Sequence, residues 1–168
     1  MNSQPLDVWN QLPIDDAEDA LLACCGSLQW AATLASRRPY ADVQALIDDA
    51  AAVWLALPEA AWLEAFAQHP RIGEKKALTS TFLASSAVEQ AAAHRTLDEV
   101  AVALTRGNRA YEEKFGFLYI VFASGRTASE LLGILNHRMT RTREQEVQEA
   151  AQQQLQITRL RMNRWLNT

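Results

Sequence analysis

The chain is poor in the residues from which disulfide, metal and nucleotide sites are built. Its 168 residues include only two cysteines, three histidines and six glycines. The cysteines, Cys24 and Cys25, are neighbours, and a bond between neighbours on a helix is strained, so they give no disulfide framework. Without a signal-peptide pattern they are read as two small buried apolar residues in a reducing cytoplasm. No HxxxH, HxxEH or CxxC spacing occurs, so no metal site is expected. No GxxxxGK[ST] or GxGxxG turn occurs either, which removes the usual phosphate cradles. A Ser-His-Asp triad stays open, but no GxSxG elbow supports one. No apolar run approaches the roughly 20 residues of a membrane span, and the final "RWLNT" carries no retention or peroxisomal signal. Positive charge is also short. Sixteen Lys and Arg against twenty Asp and Glu give a net charge of −4, so neither nucleic acid nor membrane is expected as a partner.

What the chain does have is helix. Hydrophobic residues make up 49% and charged residues 21%, the balance of a globular core with a solvated surface. Residues 1–14 read as an irregular arm held down by Val8, Trp9 and Leu12. "DDAEDALLACCGSLQWAATLASRR" reads as two short helices, with Asp15 or Asp16 as N-cap and Gly26 at the break. Val43, Leu46, Ile47, Ala50, Ala51 and Trp54 recur at helical spacing. Pro58 opens another helix, which must stop near His69 because the residue before Pro70 disfavours helical dihedrals. "SSAVEQAAAHR" and "TLDEVAVALTRGNRAYEEKFG" read as two more. The apolar "FLYIVFA" at 117–123 suits an extended segment but has no partner strand. Thr127 and Glu130 have capping-box spacing, and a long helix over roughly 142–166 ends the chain. The expected fold class is all-α, a single compact bundle of about eight helices forming one domain over residues 1–168.

Three places could carry chemistry. His94 and His137 read as solvated surface, but His69 sits at a helix end fixed by Pro70, with Gly73 allowing a tight turn beyond it. It is either an acid–base group or a cap for its helix's last carbonyls. Ser86 and Glu89 have capping-box spacing, and the same spacing puts a hydroxyl, free amides and a carboxylate at one helix N-terminus. Ala123, Ser124 and Gly125 would let a ligand approach the backbone closely, and Arg126 is able to bind a carboxylate or carbonyl. The bland reading of that stretch is a turn with one exposed arginine.

Taken together, "HPRIGE", "SSAVEQ", "NRAYEEKFGFLYIVFASGRTASELL" and "ITRLRMNRWL" resemble the 2-oxo-4-hydroxy-4-carboxy-5-ureidoimidazoline (OHCU) decarboxylase family, from about residue 10 to the end. The resemblance implies an all-α carboxy-lyase that needs no cofactor and converts this anionic ureidoimidazoline to (S)-allantoin, the last step from urate. It implies His69 as the catalytic acid and Pro70 as part of the pocket. It places Ser86, Ala87, Val88, Glu89 and Gln90 at the substrate, with Glu89 orienting His69 or a ring N–H. Backbone groups of Val121, Phe122, Ala123, Ser124 and Gly125 would hold the ring, with Arg126 beside them. It also implies a homodimer, for which the apolar residues Leu155, Ile157, Leu160, Met162, Trp165 and Leu166 of the last helix offer a surface.

Two alternatives compete. One is another lyase or hydrolase acting on a related ureido ring. The other is a helical ligand-binding or regulatory module, supported by Arg138, Arg141, Arg143, Arg159, Arg161 and Arg164. Those arginines are interspersed with Glu144, Glu146 and Glu149, which suits a solvated or dimer-facing helix better than a DNA stripe.

Overall fold

Alanine-rich periodicity becomes helix along most of the chain. The computed structural model describes residues 4–71 and 87–167, with side chains over 5–71 and 98–167. Eight helices and no strand occur among them: α1 Gln4–Gln11, α2 Ile14–Leu22, α3 Leu28–Ser36, α4 Val43–Ala56, α5 Glu59–Ala67, α6 Ala87–Phe115, α7 Ala128–Arg138 and α8 Arg143–Leu166. None is long and apolar enough by itself to cross a membrane. The chain divides into two compact units, residues 1–68 with 151–168, and residues 69–150.

The first unit is organised by tryptophans, four of whose indole N–H groups reach carbonyls. Trp9 donates to Ala17 at 3.0 Å, Trp30 to Ala50 at 2.9 Å, Trp54 to Ala151 at 2.9 Å and Trp62 to Trp54 at 2.8 Å. Each ring therefore buries a large apolar area without stranding its polar atom. The expected irregular arm is helix α1. It buries Leu6 and Trp9 but leaves Val8 61% exposed, so Val8 does not hold it down. The α2–α3 break falls where Gly26 predicts it. Pro13 occupies the α2 N-cap, and Asp15 and Asp16 lie in the first turn, where carboxylates suit the helix dipole without capping it. Ser27 caps α3 and Asp42 caps α4 through their side-chain oxygens. On α4, Leu46, Ile47, Ala50, Ala51 and Trp54 are buried and Val43 is half-buried. Cys24 and Cys25 are free and buried. Burial, the largest influence on each, pushes their thiols up to about 11 and about 12.

The second unit contains α6, a single helix where two had been expected. It passes through the expected boundary at Arg95–Thr96 and continues past Gly107. A β-carbon there would lie 2.5 Å from Leu135 Cδ2, so the glycine is what lets α6 and α7 approach. The α7 capping box is present in full, with Thr127 Oγ1 accepting from the Glu130 amide and Glu130 accepting from the Thr127 amide. Helix α8 runs through both units. Along it Leu155, Met162 and Leu166 are buried while Ile157, Leu160 and Trp165 are half-buried. The chain's own core thus takes much of the apolar face that suggested a dimer surface. The arginines around it differ from a solvated set as well. Arg138 and Glu146 are buried, and Arg161 donates to the Cys24 carbonyl at 3.2 Å.

Candidate active site

Helix α5 stops as the proline predicts. Gln68 is its C-cap, with its amide donating to Ala65 at 3.2 Å; His69 follows, half-buried, and Pro70 is exposed. Two residues beyond His69, Arg71 forks onto Glu112 of α6, with Nε to Oε1 at 2.8 Å and Nη2 to Oε2 at 2.9 Å. The side chains are 53% and 26% exposed, so water screens the charge. The planar two-point contact fixes orientation more than it adds stability. It joins "HPRIGE" to "YEEKFGF", two stretches that the sequence marked separately.

Past α6 the backbone is neither helix nor strand over residues 118–123. Tyr119, Ile120 and Val121 are buried, Phe122 is half-buried, and Ala123, Ser124 and Gly125 are exposed. The segment therefore runs from core to surface and ends in a turn, closed by the Arg126 amide donating to the Ala123 carbonyl at 3.1 Å. Gly125 has φ of +75°, the left-handed value that the third position of a type II turn requires. Arg126 is half-buried behind it, and α7 begins two residues on at Ala128.

A buried polar cluster holds this segment from behind. Arg138 Nη1 donates to the Ile120 carbonyl at 2.6 Å, Nε to Glu146 Oε2 at 2.8 Å, and Nη2 to the Tyr111 hydroxyl at 3.2 Å. Tyr111 in turn donates its hydroxyl proton to Glu146 Oε2 at 2.5 Å. The Arg138 guanidinium also stands over the Tyr119 ring, 4.9 Å from its centre. Tyr119 donates to the Leu131 carbonyl at 3.3 Å, a second stitch between segment and α7. Burial opposes the charge on Arg138, but Tyr111 and Glu146 outweigh it and hold its pKa above the ordinary value. Burial raises both phenols against the pull of Arg138, Tyr119 to about 12 and Tyr111 further.

The geometry gathers some of the sequence candidates and not others. His69, Pro70 and residues 121–126 all belong to the 69–150 unit. Ser86 lies outside the described residues. Ala87, Val88, Glu89 and Gln90 form the first turn of α6, with side chains outside the described set. His137 is exposed, as read. Among the described residues no three His, Cys, Asp or Glu side chains gather into a metal-ligand set.

Sequence reading missed the Arg138 cluster and the Arg71–Glu112 fork. One signal for the cluster was present. Glu146, Ala150, Gln154, Thr158 and Met162 recur every four residues and are all buried, so an acid stood in register with a core stripe.

A family model described as OHCU decarboxylase matches residues 10–163. The uric acid degradation bifunctional protein TTL of Arabidopsis thaliana is 35% identical over 155 residues, covering 90% of this chain and 48% of the relative. The chain thus spans about half the length of that relative. A crystal structure of OHCU decarboxylase in the presence of (S)-allantoin superposes with TM-score 0.74 at 32% identity, over 89% of this chain and 99% of the other. A crystal structure of (S)-allantoin synthase shares the fold at TM-score 0.67 and 18% identity, over 95% of this chain and 53% of the other.

Proposed function

The chain belongs to the OHCU decarboxylase family, and on that premise we propose that it decarboxylates 2-oxo-4-hydroxy-4-carboxy-5-ureidoimidazoline to (S)-allantoin, with residues 1–168 acting as one OHCU decarboxylase-like domain. The observation that carries this reading is the family match over residues 10–163. The substrate can serve as its own electron sink. The C4–CO2 bond breaks, its electron pair passes toward the adjoining C5=N group and CO2 leaves, giving an enol with a C4=C5 double bond. The 4-hydroxyl then gives up its proton to become the C4 carbonyl, and a proton is delivered to one face of C5, the ureido-bearing carbon. Less activated acids need an organic cofactor for that electron pair; here the protein has to bind, align and protonate.

His69 is proposed as the proton donor. Its position after a helix end, with Arg71 clamped to α6, supports this. The exposed turn at Ala123–Gly125 offers backbone groups to the ring, with Val121, Phe122 and Arg126 around it and Pro70 shaping the pocket. The assignments of Ser86, Ala87, Val88, Glu89 and Gln90 rest on the family resemblance, as does homodimer formation, while the cytoplasmic location rests on the two cysteines read as reduced. Light scattering that returns only the 18.7 kDa monomer at micromolar concentration would remove the dimer.

The deciding experiment generates substrate freshly from urate with urate oxidase and hydroxyisourate hydrolase, adds this protein, and follows circular dichroism. Rapid appearance of one allantoin enantiomer supports the reading. An unchanged slow, racemic course overturns it.

A further inference from the structure

We propose that Arg138 is a positioning residue for the backbone at 121–125, acting through the Ile120 carbonyl; the claim rests on the decarboxylase reading above. The segment is neither helix nor strand, so no backbone ladder among the described residues fixes its position. A buried carbonyl must be satisfied, and a single guanidinium does this for Ile120 at 2.6 Å. The adjacent residue, Val121, is the first of the five whose backbone is assigned to the ring. The anchor is deep, with Ile120 and Arg138 1% and 2% exposed, while the tip at Ala123–Gly125 is open.

A neutral donor could satisfy the carbonyl, so the charge calls for a reason. A buried ion pair is commonly no more stable than well-packed apolar side chains. What the guanidinium adds is a rigid fork. One prong is fixed by Glu146 and another by the Tyr111 hydroxyl, leaving the third aimed at one carbonyl with little freedom. Tyr119, bonded to Leu131 and lying under the guanidinium, closes the segment's other side. Tyr111 on α6 and Glu146 on α8 thereby set where a surface turn between them presents its amides.

The test pairs Arg138→Met with Glu146→Met in one variant, so that no buried charge is left alone. Amide hydrogen exchange over 118–126 and steady-state kinetics are measured beside wild type. The expected result is a near-native melting point, exchange at least several-fold faster in that segment, and kcat/KM about 10²-fold lower, mainly through KM. Arg138→Lys serves as the second variant, because an ammonium cannot hold three acceptors in the fork geometry; it should show the same pattern more weakly. If the double variant fails to fold, Arg138→Lys alone decides. Native exchange and native KM in a folded variant would overturn the proposal. If wild type itself has no decarboxylase activity, the functional reading falls, and exchange still decides whether Arg138 tethers the segment.

Discussion

Two ion pairs in this chain make a controlled comparison of what burial does to charge. Arg37–Asp49 is the shorter at 2.6 Å, but its side chains are 50% and 25% exposed. Arg138–Glu146 is longer at 2.8 Å, with side chains 3% and 0% exposed. On distance alone the first would matter more. Water reverses the order, because an exposed pair contributes about 0–1 kcal/mol, whereas removing one partner of a buried pair strands a charge at about 3–5 kcal/mol. Glu146→Leu would leave the Arg138 charge with no anionic partner, facing the Ile120 carbonyl, the Tyr111 hydroxyl and the Tyr119 ring. Arg138→Met would leave the Glu146 carboxylate with Tyr111 and with Arg141 Nη1 at 3.5 Å. For a domain of this size 1 kcal/mol moves the melting point by roughly 2–4 °C, so either single variant should melt roughly 6–20 °C lower. The Arg138→Met, Glu146→Leu double variant should recover most of that, and Asp49→Asn should shift the midpoint by no more than about 4 °C. Urea titrations of the four proteins yield the coupling energy. A buried single variant costing under about 1 kcal/mol, or strictly additive effects, would refute the reasoning.

Other outcomes follow from the site. His69→Asn should lower kcat by about 10²–10⁴ with the melting point held, since a positioned acid is worth that much; near-native turnover would reduce His69 to a cap. Glu89→Gln should cut kcat/KM by about 10²-fold, roughly 2.7 kcal/mol, if its carboxylate meets the substrate. Loss of melting temperature with turnover per folded molecule intact would make it a capping residue. Extensive EDTA dialysis should leave the rate unchanged, and a loss restored by a divalent cation would overturn the mechanism. Burial holds Cys24 at about 11 and Cys25 at about 12, so both keep their protons in the folded state after the unfolded chain has released its own. Their contribution is full below about pH 8.5 and declines as pH rises through the folded values. Stability measured at pH 8 and 10 should therefore fall for wild type and fall less for a Cys24→Ala, Cys25→Ala variant.

Helix positions were legible where apolar spacing was strong. The α4 stripe, the Gly26 break, the stop before Pro70 and the Thr127–Glu130 box are all local patterns of a few residues, and all are present. The cap expected at Asp15 or Asp16 was misplaced because a carboxylate near a helix start suits the first turn as well as the N-cap. The boundary expected between Arg95 and Thr96 is absent: α6 runs unbroken from Ala87 to Phe115, and Gly107 within it answers to Leu135, a neighbour in space that local propensity does not contain. The same limit hid the rest of the site. Arg71 meets Glu112 and Ile120 meets Arg138 across long stretches of chain, and a surface arginine and a buried one look alike in a charge count. Only the register of Glu146 with the buried face of α8 distinguished it beforehand.

The two long-range contacts suggest why the family's motifs take the form they do in this chain. A substrate that absorbs its own electron pair leaves the protein no redox or electrophilic work, so position carries the task. Position in an all-α protein is awkward, because helices present side chains while their backbone amides are spent inside the helix. A ring that has to be held by backbone groups needs chain outside a helix. On the proposed reading the chain supplies it at the turn after "FLYIVFA" and at the break around His69, and two arginine contacts hold those segments. Arg71 ties the His69 break to α6 through an exposed fork, which water weakens but which sets direction. Arg138 ties the Ile120 segment to α7 and α8 through a buried fork, where the charge has partners on three sides. Gly125 then turns the chain with a backbone conformation few other residues tolerate. Both clamps are arginines for one reason: a planar fork fixes angle as well as distance, which a lysine at either position could not do.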